Sequence, residues 1–332
     1  MSGIVALNKI QIGRETTAGT AVPATLLFRG YGVLDDQREV MFPDERIGFF
    51  AGLDRSYVPK LLSAVSFQAN ESSFEMLPHV LEAGVMTATP AQDGSGSGYI
   101  YTYNLPETQA PTIKTYTIEG GDNQQAEEVE YGFVSSFTLE GNAGEAWMLS
   151  SEWLGRQSSL ASFTAALSIP DISDMLFSKT KIYIDAVAGA FGGTQKTMTL
   201  LSASFAYTTG LIPKFTADGQ LYFSFVQTTT PEAMLTLTFE HDATAVAEKA
   251  YWRAQTPRLI RLICEGDALT TAGSTYSVKT FILDLAGKWE SFDPLGDQDG
   301  NMISQATFRG RYNATAADFG KFVVVNELTT LP

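Results

Sequence analysis

P-T-I-K-T-Y-T-I-E-G-G-D (residues 111–122), Y-G-F-V-S-S-F-T-L-E-G (131–141) and S-S-E-W-L-G-R (150–156) form a series that the chain repeats later. The later series is P-R-L-I-R-L-I-C-E-G-D (257–267), Y-S-V-K-T-F-I-L-D-L-A-G (276–287) and A-T-F-R-G-R (306–311). Both read as a strand ending in Glu-Gly, a second strand ending in an acid, and a third ending in aromatic-x-Gly-Arg. The offset is 146 residues at Glu119/Glu265, 144 at Glu140/Asp284 and 155 at Gly155/Gly310, and small loop insertions account for the drift. Solenoid units run ~20–50 residues, so a period this long is that of a whole domain. The sequence therefore predicts two copies of one β-rich domain, with a boundary near Pro170: residues 1–170 and 171–332.

Working outward, each half follows one plan. Residues 1–26 read as an extended arm followed by a strand at Leu26–Val33, then a long acid-, arginine- and aromatic-rich segment, 34–57, and a strand at Leu62–Ala69. Phe74, Leu77, Val80 and Leu81 share one helical face, Ser72 and Glu75 fit a capping box, Pro78 argues against an undisturbed helix, and Gly84 suits its end. After a flexible T-P-A-Q-D-G-S-G-S-G loop (89–98), strands are predicted near 99–105, 111–119, 130–140 and 146–154. The second half offers strands at Thr180–Ile184 and Thr197–Tyr207, a loop at Leu211–Gln220, a strand pair at Leu221–Val226 and Met234–Glu240, and a helix at Asp242–Trp252. Strands at 257–265, 275–285 and 302–311 and a C-terminal strand or arm complete it. The expected fold is mainly β: two tandem β-sandwich or partly open barrel domains, each with one flanking α-helix.

The net charge of −15 is uneven: residues 1–166 hold 9 Lys+Arg against 20 Asp+Glu, residues 167–332 hold 13 against 17. A protein that grips nucleic acid needs basic phosphate-facing surface, and this balance argues against one; it is compatible with a surface that DNA passes without sticking. A single cysteine, Cys264, lies in an apolar strand and reads as a buried structural thiol. The N-terminus lacks the pattern of a signal peptide, and no run of ~18 apolar residues is present, so folding in a reducing cytoplasm without a membrane span is expected.

Candidate chemistry is sparse. His79 and His241 have no Cys or His partner at metal spacing and read as helix-surface or capping residues. Asp297-Gln-Asp-Gly-Asn misses the calcium-loop register and reads as a polar turn, and Ala286-Gly287-Lys288-Trp289 reads as a hairpin turn. Gly94–Gly98 lacks the strand-to-helix setting of a phosphate cradle. Glu127, Glu128 and Glu130 read as a solvated face. No catalytic residue, cofactor site or metal site is predicted, and the chain is not expected to be an enzyme.

The segment I-G-R-E-T-T-A-G-T-A-V-P-A-T (12–25) resembles the N-terminal arm of tail tube proteins of long, flexible-tailed bacteriophages. G-K-W-E-S-F (287–292), D-G-N (299–301), F-R-G-R-Y-N (308–313) and F-V-V-V-N (322–326) resemble the end of such proteins. The resemblance implies β-sandwiches whose strands join those of neighbouring copies in a ring around a channel, with rings stacked through loops and arms. It further implies a virion tail location after assembly in the host cytoplasm. The implied partners are the chain itself, tape-measure, tail terminator and distal tail proteins, and viral DNA that passes without specific binding. Typical members carry one such domain in six-membered rings; two per chain would need only three chains, a pseudo-sixfold trimer. Arm 1–26 and loop 34–57 are the expected inter-ring contacts. The alternatives are another virion or cell-surface β-sandwich (neck, decoration or glycan-binding adhesion module) and, from paired carboxylates, a glycan hydrolase.

Overall fold

A computed structural model describes residues 2–332, and it is mainly β with two α-helices. Up to residue 161 the order is β1 (Lys9–Arg14), β2 (Leu26–Phe28), β3 (Gly32–Asp36), β4 (Ser63–Glu71), α1 (Leu77–Gly84), β5 (Ala91–Gln92), β6 (Tyr99–Asn104), β7 (Tyr116–Gly121), β8 (Ala126–Asn142), β9 (Met148–Gly155) and β10 (Ser158–Ala161). There follow β11 (Thr180–Ala186), β12 (Gln195–Lys196), β13 (Leu200–Thr208), β14 (Leu211–Lys214), β15 (Phe225–Thr228), β16 (Glu232–Glu240), α2 (Ala243–Arg253), β17 (Arg258–Ala268), β18 (Val278–Phe292), β19 (Gly296–Gln298), β20 (Asn301–Gly310) and β21 (Gly320–Asn326).

One set of antiparallel pairings occurs twice. In the N-terminal half β1 pairs β2 and β7, β7 pairs β8, β8 pairs β9 and β10, β9 pairs β4, and β4 pairs β3. In the C-terminal half β11 pairs β12 and β17, β17 pairs β18, β18 pairs β20 and β21, β20 pairs β16, and β16 pairs β13. The register corrects the sequence alignment. Gly132 and Gly287 occupy the same place, as do Gly155 and Gly310, and a bulge falls after Val134 in one half and after Trp289 in the other. The second and third strands thus share a uniform offset of 155. G-F-V-S-S-F (132–137) matches G-K-W-E-S-F (287–292), and Glu140 is not the counterpart of Asp284. Nor does Glu119 match Glu265: Ile118 faces Val129 while Arg261 faces Asp284, the residue 155 after Val129.

All but β14 and β15 belong to a single hydrogen-bonded network, which does not close into a barrel among the described residues. The halves are joined by β8–β13 and by β6–β21. The principal core is likewise common to both: Phe137 packs on Tyr207 and Phe322 with ring centroids 5.4 and 5.9 Å apart. Strand alternation places one apolar row on each facing layer, and burying those rows together supplies most of the driving force.

Several local expectations change. Residues 9–14 are not part of a free arm; β1 lies between β2 and β7 with Ile10 and Ile12 buried. The buried Glu15 carboxylate anchors the following turn, accepting from Gly19 N (2.8 Å), Thr115 Oγ1 (2.7 Å), Thr117 Oγ1 (3.2 Å) and Tyr131 N (2.8 Å). Every residue of α1 is buried, so it is a central helix and not a flanking one. Pro78 stands in its first turn, where a missing N–H costs nothing. The Ser72–Glu75 box does not form; Glu75 instead accepts from Ser173 N at 2.8 Å and Lys279 Nζ at 2.7 Å. Helix α2 matches its expectation, with the Asp242 side chain accepting from Ala245 N at 2.9 Å as N-cap. Residues 225–228 pair with β14 and not with β16.

Candidate functional surface: a polar sheet face between two open edges

Eight strands form the wall of interest, in the order β3–β4–β9–β8–β13–β16–β20–β18. It consists of two like quartets, β3–β4–β9–β8 and β13–β16–β20–β18. Period-two patterning gives it unlike faces. Val65, Phe67, Trp153, Phe137, Leu139, Phe205, Tyr207, Leu235, Leu237 and Phe308 are buried on the core side. Between them, small polar residues alternate on the other side: Ser66, Gln68, Ser150, Thr138, Ser204, Thr236, Thr238, Gln305 and Thr307 are each half-buried or exposed.

The charges on this open face are mostly acidic. Asp35, Glu140 and Glu152 lie on the first quartet, which contributes no Lys or Arg to the face, and Glu232 and Glu290 lie on the second, together with Arg309 and the exposed Lys288 opposite it. There Arg309 donates to Glu290 at 2.8 and 2.9 Å and to Glu232 at 3.3 Å, holding the Glu290 carboxyl below its ordinary range. Ser66 and Ser204 donate to Glu152 (2.6 Å) and Glu140 (3.3 Å). Acids tied down by hydroxyls, with little positive charge beside them, form a surface on which phosphates find few partners.

The join between the quartets is regular. Thr208–Ser202 of β13 runs antiparallel to Ser136–Asn142 of β8, and Thr209 extends it, its N–H donating to Ser135 O at 3.0 Å. The two outer edges lack such a partner among the described residues. One is β3, bonded only to β4; the other is the end of β18 and its continuation β19, bonded only to β20 beyond Gly287. β18 and β19 correspond to the single long strand β8, interrupted at Asp293–Leu295 by Pro294.

The residues singled out from sequence are scattered away from this face. His79 is wholly buried, its Nδ1 3.1 Å from Tyr116 Oη, and burial first, then the Arg14 charge, pushes its pKa down to about 3. It is therefore not a helix-surface residue. Glu82 beside it binds Arg14 and has its pKa raised by burial, against the pull of that guanidinium. His241 is exposed immediately before the α2 N-cap. Cys264 is buried, and desolvation lifts its thiol to about 11. Glu127 and Glu128 lie on β8 between β7 and β10, with Glu130 further along the same strand; all three are half-buried, and burial raises the pKa of Glu128 and Glu130, so they are not a freely solvated row. Asp299–Gly300 forms the tip joining β19 to β20, both residues with positive φ (54° and 84°), as a tight hairpin turn requires. Ala286–Trp289 is no turn: it lies within β18, and a Cβ on Gly287 would clash with the Arg309 carbonyl oxygen.

Loop 37–62, joining β3 to β4, is largely exposed and carries Phe42, Ile47, Phe49 and Phe50 at its surface. The β13–β16 connection, 209–231, leaves the same end of the wall, where Leu61 N donates to Leu221 O at 2.8 Å. The polar face itself was missed from sequence, although its signal is present in V-S-F-Q (65–68), S-A-S-F (202–205) and L-T-L-T-F (235–239), where polar and apolar residues alternate.

No protein-family model matches this chain, and no curated protein matches it. No helix among the described residues is long and apolar enough to cross a membrane.

Proposed function

We propose that this chain is the structural subunit of a phage tail tube, a fused duplication of one tube-type β-domain (residues 1–170 and 171–332), three copies of which close into a ring. The observation that carries the reading is the eight-stranded wall: two equivalent quartets already joined edge to edge, with open edges at both ends. Such a wall is incomplete, because an open edge must be paired or protected. Head-to-tail contacts that close make rings, and stacked rings make a tube. The acidic, Ser/Thr-rich face becomes the channel lining, and DNA slides past it because few cations meet its phosphates. The resemblance of residues 12–25 and 287–326 to tail tube proteins points the same way. Loop 37–62 and connection 209–231 leave the wall at one end and are the proposed ring-to-ring contacts. In this reading the partners are further copies, tape-measure, tail terminator and distal tail proteins, and DNA in transit; the protein serves in the virion tail and has no enzymatic role.

Negative-stain microscopy and mass measurement on concentrated protein, with and without a tape-measure protein, test this. Rings or filaments of constant diameter holding three chains per ring are expected. Rings of six chains would overturn the duplication, and a persistent monomer the tube.

A further inference from the structure

The Gly-Arg pairs that end the third strand of each repeat, Gly155-Arg156 and Gly310-Arg311, have unlike surroundings. Arg156 is covered. Its Nε donates to Phe223 O at 3.0 Å and its Nη2 to Ser224 O at 2.9 Å, and its guanidinium lies over Tyr131 and Tyr222. The cover is the segment that follows β13, whose Phe223 and Leu211 pack on Phe133. Arg311 stands at the equivalent place, is exposed, and makes no side-chain hydrogen bond or ion pair among the described residues. It opens into a pocket of about 390 Å³ lined by Gly287, Lys288, Trp289, Arg309 and Tyr312, beside the open edge of β18. Lys288 replaces the apolar Phe133 there, and Arg309 replaces Leu154.

We infer that this pocket and edge receive β3 and the start of loop 37–62 from a second copy, in the way that β8 and Arg156 receive β13 and residues 209–224 within one chain. β3 is the counterpart of β13, since each is the outer partner of the equivalent strand: Asp36 faces Ser63 as Tyr207 faces Ala233. Carrying the β8–β13 register across, with Tyr207 opposite Phe137, sets Asp36 opposite Phe292, Asp35 opposite Asp293, Leu34 opposite Pro294 and Gly32 opposite Gly296. Charge agrees with this occupant. The entering segment carries Asp35, Asp36 and Glu39 against one cation, Arg38, which pairs with Asp36, and the pocket presents Lys288, Arg309 and Arg311 against one acid, Glu290, where the internal join has the apolar Phe133 and Leu154. Aromatic side chains are available as well, since loop 37–62 exposes Phe42, Phe49 and Phe50 as connection 209–231 supplies Phe223. Two features keep the edge from premature pairing: Pro294 removes a donor, and Trp252 Nε1 holds Glu290 O at 3.1 Å, the carbonyl equivalent to that taken by Thr209 N in the internal join.

This inference rests on the ring reading but fails separately from it. The test is the full chain carrying Asp35→Cys and Asp293→Cys, oxidised at high concentration and run without reductant. Both residues are exposed, Asp35 on β3 and Asp293 immediately after β18, and a non-hydrogen-bonded antiparallel pair holds its Cα atoms ~4.5 Å apart, within disulfide reach. Linked dimers and trimers are expected from the double variant, none from either single variant, and none from Val33→Cys with Asp293→Cys. Rings that form without these links, or equal linking by the Val33 pair, overturn this junction while leaving the tube standing. A protein that stays monomeric and unlinked overturns both. Arg311→Glu, with unchanged circular dichroism, should weaken association roughly tenfold or more, as loss of a buried interface arginine does; unchanged association would likewise sink the junction.

Discussion

The two helices hold equivalent places and depend on their surroundings in opposite ways. Helix α1 is enclosed throughout, whereas α2 buries only Ala245 and Glu248. Each anchors itself with a glutamate to an arginine on a neighbouring strand. Glu82 binds Arg14, whose side chain remains a quarter exposed, and Glu248 binds Arg258, whose side chain is 8% exposed. Glu248 also accepts from Trp289 Nε1 at 2.9 Å, as Glu82 accepts from Tyr116 Oη at 3.3 Å. One anchoring scheme is therefore used twice. In α1 it is secondary to apolar packing, and in α2 it is the principal attachment.

The largest expected effect follows from that difference. Glu248→Ala leaves Arg258 buried without its partner and should cost about 3–5 kcal/mol in denaturant unfolding. Glu82→Ala should cost less, because Arg14 can reach water and the enclosed helix keeps its packing. Equal losses would show that α1, too, is held by its ion pair.

Enclosure also gives the N-terminal half the stronger acid sensitivity. His79 is neutral when folded, with a pKa of about 3, and would take up a proton near pH 6.5 when unfolded. Its contribution is therefore complete above pH 6.5 and is lost as pH falls towards 3, at up to about 1.4 kcal/mol per pH unit. Glu82 acts in the opposite sense: its carboxyl titrates above the usual range, so protonation on acidification favours the folded state in its own window. A His79→Gln variant should show a flatter stability profile between pH 6.5 and 5 than the parent.

The arginines after the paired glycines give the next contrast. Arg156→Ala removes charge-assisted bonds to three carbonyls, those of Phe223, Ser224 and Gly19, and should cost about 2 kcal/mol in chemical denaturation. Arg311→Ala should lie within about 0.5 kcal/mol of the parent as a monomer, as exposed changes do. Equal costs would mean that Arg311 has a partner within its own chain.

These contrasts also explain what could be read beforehand. Alternating apolar runs announced the strands, and β4, β20 and β21 fall close to where the pattern put them. The repeat was visible through its motifs, but its register was not, because loops of unequal length hid the offset of 155. Gly287 was misleading for a physical reason. A glycine after a small residue suggests a turn, whereas here it permits close approach of the Arg309 backbone across the sheet. Strand β1 was hidden because its apolar residues are few and its buried Glu15 finds partners about a hundred residues away. The open edges and the polar wall are properties of pairing between distant strands, so no single segment announces them.

The smallest effect concerns the charges at the proposed junction. In the inferred register Asp35 of one copy faces Asp293 of the next, where the internal join places Ala206 opposite Thr138. Like charges directly opposite oppose strand pairing by about 0.2–1 kcal/mol. Asp35→Asn should therefore tighten association a few-fold in sedimentation measurements at low salt. Salt screens this repulsion, so moderate salt should narrow the gap between variant and parent. Weaker association of the variant would mean that Asp35 binds a group on its neighbour, which requires a register other than the one carried over from β8 and β13.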